Sequence, residues 1–370
     1  MTEINIKKIQ SDIIKTFKDL ENEIINTNMC CACGACIAYC ESQNFNVIEM
    51  DGYIPKFKSE KNEENCTECG VCYYICPQTS PISEQLNNAF SVKDEIGPII
   101  NIIAAKTTDK AIEKVGQDGG VVSTILSYLF DEHKIDAAIV SEFDENFKPR
   151  PKIIFEKEDL LKSAGTRYSI SSQILPLKDI YNSYQDIIEK KHIINAEQLR
   201  IAFVGTPCQC RAINKMKFLN VKPAHIINYV ISLFCYENFD YNKLMEILKI
   251  KASIEPSDII KTNIKKNFFV WSKEGEQCEI NIKDLDDAVR NHCHSCDEFT
   301  GRFSDISIGS SGAPNGFSMI IIRTENGNDI IKSLLSNGLI EQFIVHADNS
   351  IDWKQKKLSW LRKLISLKTK

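Results

Sequence analysis

Eight cysteines between positions 30 and 76 fall into two runs of C-x2-C-x2-C-x3-C. The first is Cys30, Cys33, Cys36 and Cys40; the second is Cys66, Cys69, Cys72 and Cys76, closed by Pro77. This spacing suits a pair of 4Fe–4S clusters, in which three close thiolates hold one cluster and the fourth reaches across to the other. The wiring it implies is Cys30, Cys33, Cys36 and Cys76 on one cluster, with Cys66, Cys69, Cys72 and Cys40 on the second. Zinc also takes paired C-x-x-C units. Two pairs would satisfy it, however, and the third and fourth cysteines of each run would then have no role. Gly34 and Gly70 follow the second cysteine of each run, where the chain must fold tightly. Glu41 stands where the first run would often carry proline, and Cys31 is surplus, a packed or weakly exposed thiol.

The remainder of the chain must house whatever exchanges electrons with such a module. At 370 residues it is long enough for about two or three domains with cores that need no staples. A hydrophobic share of 43% and a charged share of 26% are those of an ordinary globular protein. The first seventeen residues, MTEINIKKIQSDIIKTF, lack the apolar core of a signal peptide, and no stretch approaches a membrane span. Fifteen cysteines in that context read as metal ligands or redox groups before disulfides. A net charge of −5 carries no nucleic-acid footprint. The expectation is a soluble, cytoplasmic electron-transfer protein.

Periodicity divides the chain further. Residues 1–27 read as an N-terminal helix, with Ile6, Ile9, Ile13, Phe17, Leu20 and Ile24 on one face. Residues 28–82 form the two-cluster, bacterial-ferredoxin-like domain, with a strand–turn–strand at 46–57 and a polar link at 58–65. Apolar strands are expected at 98–106, 135–140, 199–205, 226–234, 306–309 and 317–324, with helices after 123 and at 329–337. Strands alternating with helices predict an α/β or α+β domain around a largely buried sheet, spanning 95–345. The tail, 346–370, is a basic amphipathic helix. It suits a membrane surface or a partner, and more simply packing on its own domain with a solvated basic face.

Six cysteines lie outside the first module: Cys208, Cys210, Cys235, Cys278, Cys293 and Cys296. Cys208 and Cys235 end strands, while Cys293 and Cys296 form a C-x-x-C. Four of these thiolates could complete a third 4Fe–4S site, and zinc or a C-x-x-C redox pair are the competing readings. His292 and His294 flank Cys293, so a mixed site is open, although loop polarity is the simpler account of both.

Five segments in order now resemble one family: GQDGGVVSTIL at 116–126, SAGTRYS at 163–169, VGTPCQ at 204–209, LFC at 233–235 and CHSCDEFTGRFSDISIGSSG at 293–312. The chain resembles the coenzyme F420 hydrogenase/dehydrogenase beta-subunit family over most of 28–340. The resemblance implies FAD as cofactor, coenzyme F420 as substrate and a catalytic domain of mixed α/β type. Under it, Gly116, Gln117, Asp118, Gly119, Gly120 and Ser123 form a flavin-contacting turn, and Thr166, Arg167 and Tyr168 a second nucleotide-contacting segment. Without the resemblance, a simple turn leading into a helix is the competing reading of these glycines. It also implies that Cys208, Cys235, Cys293 and Cys296 hold the third cluster, leaving Cys210 and Cys278 as packed thiols. Cys210 replaces the usual aliphatic residue after GTPCQ, and SSGAPNG departs from the commoner aspartate-bearing version.

The activity implied is hydride exchange between F420 and FAD, with electrons relayed singly through three 4Fe–4S clusters, in methanogenesis-type metabolism. The implied partner is a catalytic redox subunit (hydrogenase, formate dehydrogenase, CO dehydrogenase or similar) or a ferredoxin. Two rivals are a ferredoxin-driven reductase of another organic substrate and a flavin-free electron-transfer subunit. No carboxylate or histidine pair demands the role of general base.

Overall fold

The computed structural model describes residues 14–181, 189, 193–275, 277–345 and 350–368. The expected N-terminal helix therefore falls partly outside the described residues. What is described of it runs helically from Phe17–Leu20 into Glu21–Ile25, with the last turns in π geometry.

Two short helices carry the cysteine runs. Ala35–Ser42 and Val71–Tyr74 each start directly after a glycine in the left-handed region, Gly34 at φ +88° and Gly70 at φ +75°. Their missing side chains matter: a Cβ on Gly34 would lie 2.8 Å from the Leu175 nitrogen, and one on Gly70 2.6 Å from the Lys15 carbonyl. Strands β1 (Ile48–Asp51) and β2 (Ile54–Phe57) pair antiparallel between the runs, turning at Gly52 with φ +60°. Residues 58–65 are not a plain link. Ser59 accepts from the Asn62 N–H and caps a helix, Glu60–Glu64.

The larger part is built on strands β3 (Asn101–Thr107), β4 (Ala137–Phe143), β5 (Pro149–Ile154), β6 (Ile201–Gly205) and β7 (Ile227–Leu233). Strands β8 (Ile259–Ile264), β9 (Phe268–Ser272) and β10 (Gln277–Ile280) form a separate antiparallel sheet, packed with the helix Tyr241–Ala252. The chain then returns through β11 (Ile306–Gly309), β12 (Ser318–Ile322) and β13 (Ile340–Gln342). The main sheet is eight-stranded and mixed, in the order β13-β3-β12-β11-β7-β6-β4-β5. Strands β11, β7, β6 and β4 run parallel, and β3 shares their direction through two antiparallel steps.

Every residue of β6 and β12 is buried, as a strand covered on both faces requires. Alternate residues sort to opposite layers. Ala138, Val140, Ala202 and Val204 meet the helices Val121–Asp131 and Glu325–Ser336 on one face. On the other, Ala137, Ile139, Ile201 and Phe203 meet the helix Pro207–Phe218 and the cysteine-rich segment. Further along that face, Ile102, Met319 and Ile321 take Leu361 and Ile365 of the C-terminal helix, Ser350–Lys368. No helix among the described residues is long and apolar enough to cross a membrane.

Candidate functional site

The carboxyl ends of the codirectional strands converge on one edge of the sheet, where α/β proteins form crevices for ligands. Cys208 follows β6 and Cys235 follows β7. Thr206 and Gln209 form a reciprocal capping box at the start of Pro207–Phe218, and the Thr206 hydroxyl lies 3.3 Å from the Cys208 sulfur. Cys293 ends up here because the short helix Asn291–His294 delivers it, with its sulfur 3.9 Å from the Asn238 carbonyl. The four cysteines line one cavity, together with Ile170, His292, Glu298 and Lys368. Burial pushes the Cys235 thiol up to about 12 and raises Cys293 and Cys296 as well, while the neighbouring Cys31 thiol and then burial raise Cys208. Four protonated thiols in one enclosure would release protons on binding a metal group, whose charge supplies the compensation.

His292 corrects the expectation of loop polarity. It is 3% exposed, its Nε2 lies 3.5 Å from the Cys293 sulfur, and its Nδ1 has no partner. Burial pushes it down to about 3, so the imidazole is neutral. His294 is exposed, as expected. Cys210 is fully buried against the Gly205 and Ile231 carbonyls, and Cys278 packs near Ala252, so both are packed thiols.

The N-terminal runs sort into two sets. Cys36 is within electrostatic reach of Cys30 and Cys76, Cys33 of Cys36 and Cys76, and Cys30 of Cys76. Cys72 is within reach of Cys66, Cys69 and Cys40, and Cys40 of Cys66. The fourth cysteine of each run thus lies with the first three of the other. Backbone N–H groups point at sulfur in both sets, from Ala32 to Cys30 at 3.3 Å and from Val47 and Ile48 to Cys40. Among the described residues, no three His, Cys, Asp or Glu side chains form a site for a single metal ion.

Cys31 connects the sets. Its buried thiol lies within electrostatic reach of Cys208 on one side and Cys33 on the other. The first set is seated on the sheet domain by further contacts. Lys215 Nζ donates to the Cys76 and Thr79 carbonyls, Arg290 to the Cys30 carbonyl at 3.0 Å, and the Ile174 N–H to the Cys33 carbonyl at 3.0 Å.

The glycine turn lies at the same edge of the sheet. Gly119 presses against the strands: its N–H donates to Ser318 Oγ at 3.1 Å, and its carbonyl accepts from Thr107. A Cβ there would sit 2.5 Å from the Ala105 carbonyl oxygen and 2.6 Å from the Ser318 nitrogen. Gly120, at φ +65°, starts Val121–Asp131, whose first turn has no side-chain cap. That leaves first-turn N–H groups without a side-chain cap at a positive helix end. Gly116 ends the preceding helix, and Ser123 is buried.

Asp118, next to Gln117, is exposed as a residue. Desolvation nevertheless raises its carboxyl, opposed by Lys265, Lys261 and the Ser310 hydroxyl. Tyr168 lies within reach of Asp118; its hydroxyl accepts from the Ile264 N–H at 2.9 Å and contacts Thr166. Burial raises that phenol to about 12. Arg167 is otherwise engaged. It stacks on Phe143 at 4.4 Å and donates to the Ala164, Gly165 and Lys162 carbonyls, which leaves only its Nε unpaired. Lys261, Lys265, Ser310, Ser318 and Lys368 belong to these sites beyond the residues expected from the sequence. Ser310 alone carries a signal there, its place in the SSG segment.

The sequence matches both profiles of the coenzyme F420 hydrogenase/dehydrogenase beta subunit, the N-terminal one over residues 102–178 and the C-terminal one over residues 198–345. It is 32% identical to a component of the F(420)H(2) dehydrogenase of Methanosarcina mazei, covering 82% of both chains. It is also 32% identical to the beta subunit of the coenzyme F420 hydrogenase of Methanosarcina barkeri, over 66% of this chain and 82% of that one. Its fold is similar to a chain of the F420-reducing NiFe hydrogenase complex from Methanosarcina barkeri. The TM-score is 0.64 at 29% identity, covering 75% of this chain and 91% of that one.

Proposed function

The chain belongs to the coenzyme F420 hydrogenase/dehydrogenase beta-subunit family, and from that membership we propose that it is the F420-oxidising or F420-reducing subunit of a larger redox enzyme. As an F420-dependent oxidoreductase subunit it would use FAD and three 4Fe–4S clusters. A flavin exchanges a hydride with a deazaflavin and passes electrons on singly, and iron–sulfur clusters carry them one at a time.

Flavin contacts are assigned to the turn Gly116–Gln117–Asp118–Gly119–Gly120, to Ser123, and to Thr166, Arg167 and Tyr168. The uncapped helix end at Gly120 favours an anionic group, and Lys261 and Lys265 add positive charge beside it. Arg167 holds its own loop, with Nε the atom left for a ligand. Cys208, Cys235, Cys293 and Cys296 are assigned to the cluster nearest the flavin, then Cys30, Cys33, Cys36 and Cys76, then Cys66, Cys69, Cys72 and Cys40.

The observation that carries this order is the seating of the first N-terminal set beside the Cys208 site, through Lys215 on the Cys76 carbonyl and Arg290 on the Cys30 carbonyl. Cys36 in turn faces Cys72, which leads to the outer set, where Cys69 is exposed. The outer set is therefore the assigned docking face for a hydrogenase or formate dehydrogenase type of partner, or a ferredoxin.

Anaerobic protein, reconstituted with iron, sulfide and FAD, should oxidise reduced F420 while reducing a viologen dye. Failure of a fully loaded preparation to do so would overturn the assignment. A purified protein that takes up iron but no flavin would instead be an electron-transfer component alone.

A further inference from the structure

The C-terminal helix carries a buried cation into the Cys208 cavity. Leu361, Ile365 and Lys368 follow each other at four and three residues and share one helical face. Leu361 and Ile365 pack on Ile96, Phe299 and Met319, and Lys368, only 7% exposed, occupies the next place on that apolar stripe. Its Nζ donates to the Cys235 carbonyl at 2.9 Å and to the Glu298 carbonyl. The Glu298 carboxylate is already held by Arg302 at 2.9 Å. Among the described residues no carboxylate forms an ion pair with Lys368, and an ammonium in that position needs a compensating negative charge. The groups that share its cavity are the thiols of Cys208, Cys235, Cys293 and Cys296, which become anionic when they bind a metal group.

We propose that Lys368 is the built-in counter-charge of the site formed by Cys208, Cys235, Cys293 and Cys296, and that it holds the cluster there at a higher reduction potential than the cysteines alone would give. The inference rests on that site being a cluster site. Reduction adds negative charge to a group already anionic through its thiolates, so a fixed cation a few ångströms away favours the reduced form. The two matched profiles reach no further than residue 345, so the feature lies outside the region they describe. Lys368 is a positioning and tuning residue; it takes no part in hydride exchange.

The test is a redox titration of the reconstituted protein followed by electron paramagnetic resonance, with Lys368→Gln and Lys368→Arg beside the wild type. The signal absent from Cys293→Ala identifies the third site. Gln keeps a donor for the two carbonyls but removes the charge, and the reduction equilibrium of that signal should fall about tenfold, equivalent to about 59 mV for one electron. Arg should leave it near the wild-type value. An unshifted signal in Lys368→Gln overturns the proposal while leaving the cluster in place. A wild type in which Cys293→Ala removes no signal overturns the cluster assignment, and the proposal with it. If Lys368→Gln loses the third site's iron, Lys368→Arg decides: retention of both iron and potential supports the charge, and their loss overturns it.

Discussion

Lys215 Nζ donates to the Cys76 carbonyl oxygen at 2.8 Å, joining the helix that begins beside Cys208 to the last ligand-type cysteine of the N-terminal runs. The lysine is fully buried, donates also to the Thr79 carbonyl, and burial pushes it down to about 8. Its hydrogen bonds fix the inner thiol set against the sheet domain. Lys215→Met strands two carbonyls, at about 1–3 kcal/mol each. The expected outcome is a lower unfolding midpoint and faster loss of iron on dilution, read by thermal melting and by chelator-accessible iron.

Cys31 and Cys33 are two residues apart and both buried, yet they are assigned different work. Cys33→Ala should remove one cluster, about four irons per chain. Cys31→Ala should keep the full iron content, because its thiol contacts Cys208 and Cys33 without belonging to either set. Iron and acid-labile sulfide analysis separates the two outcomes. Iron loss in Cys31→Ala would make that thiol a ligand.

Gly119 has no space for a methyl group against the Ala105 carbonyl and the Ser318 nitrogen, both backbone atoms. Gly119→Ala must push the turn off the sheet edge, at a cost of about 1–3 kcal/mol. The turn assigned to the flavin moves with it, so flavin absorbance per chain should fall together with the melting temperature. Normal flavin content at a lowered melting temperature would separate the turn from the flavin site.

Arg323 is 4% exposed and donates to the Ile96, Pro98 and Thr300 carbonyls and to Ser307 Oγ, tying the segment before β3 to β11. Burial lowers it to about 9, and the hydrogen bonds keep the guanidinium in place. Arg323→Met should destabilise the protein by about 3 kcal/mol or more through unsatisfied carbonyls. Its thermal midpoint should fall further than that of an exposed substitution such as Lys110→Met.

Much of the main sheet is legible in the sequence because burial on both faces writes a strand as an unbroken apolar run. The expected strands at 199–205 and 306–309 fall on β6 and β11 almost residue for residue. The sheet of β8, β9 and β10 is less legible. Polar residues such as Lys261 interrupt β8 and β10. Only β9 carries an apolar run, from Phe268 to Trp271, with no apolar strand on either side to mark it as part of a sheet. Strand β5 carries Pro149 and Pro151, which argue against a strand except at an edge, and an edge is where it lies.

The site shows the same division. Cysteine spacing is local and carries the grouping of the thiols. The contact from Cys31 to Cys208 depends on how two parts of the chain pack, which no spacing records. His292 and Lys368 look like polar surface residues in the sequence, where a buried polar group cannot be told from an exposed one. The C-terminal helix packs on its own domain, the simpler of its two expected roles.

The central claim is that electrons leaving the deazaflavin must pass the Cys208 site before reaching the N-terminal thiol sets. Stopped-flow mixing of reduced F420 with reconstituted Cys293→Ala, in the presence of a viologen, tests it most directly. The account predicts that bound flavin is still bleached at close to the wild-type rate while viologen reduction falls at least tenfold. Viologen reduction at the wild-type rate, in protein that has lost the third site's iron, would contradict it.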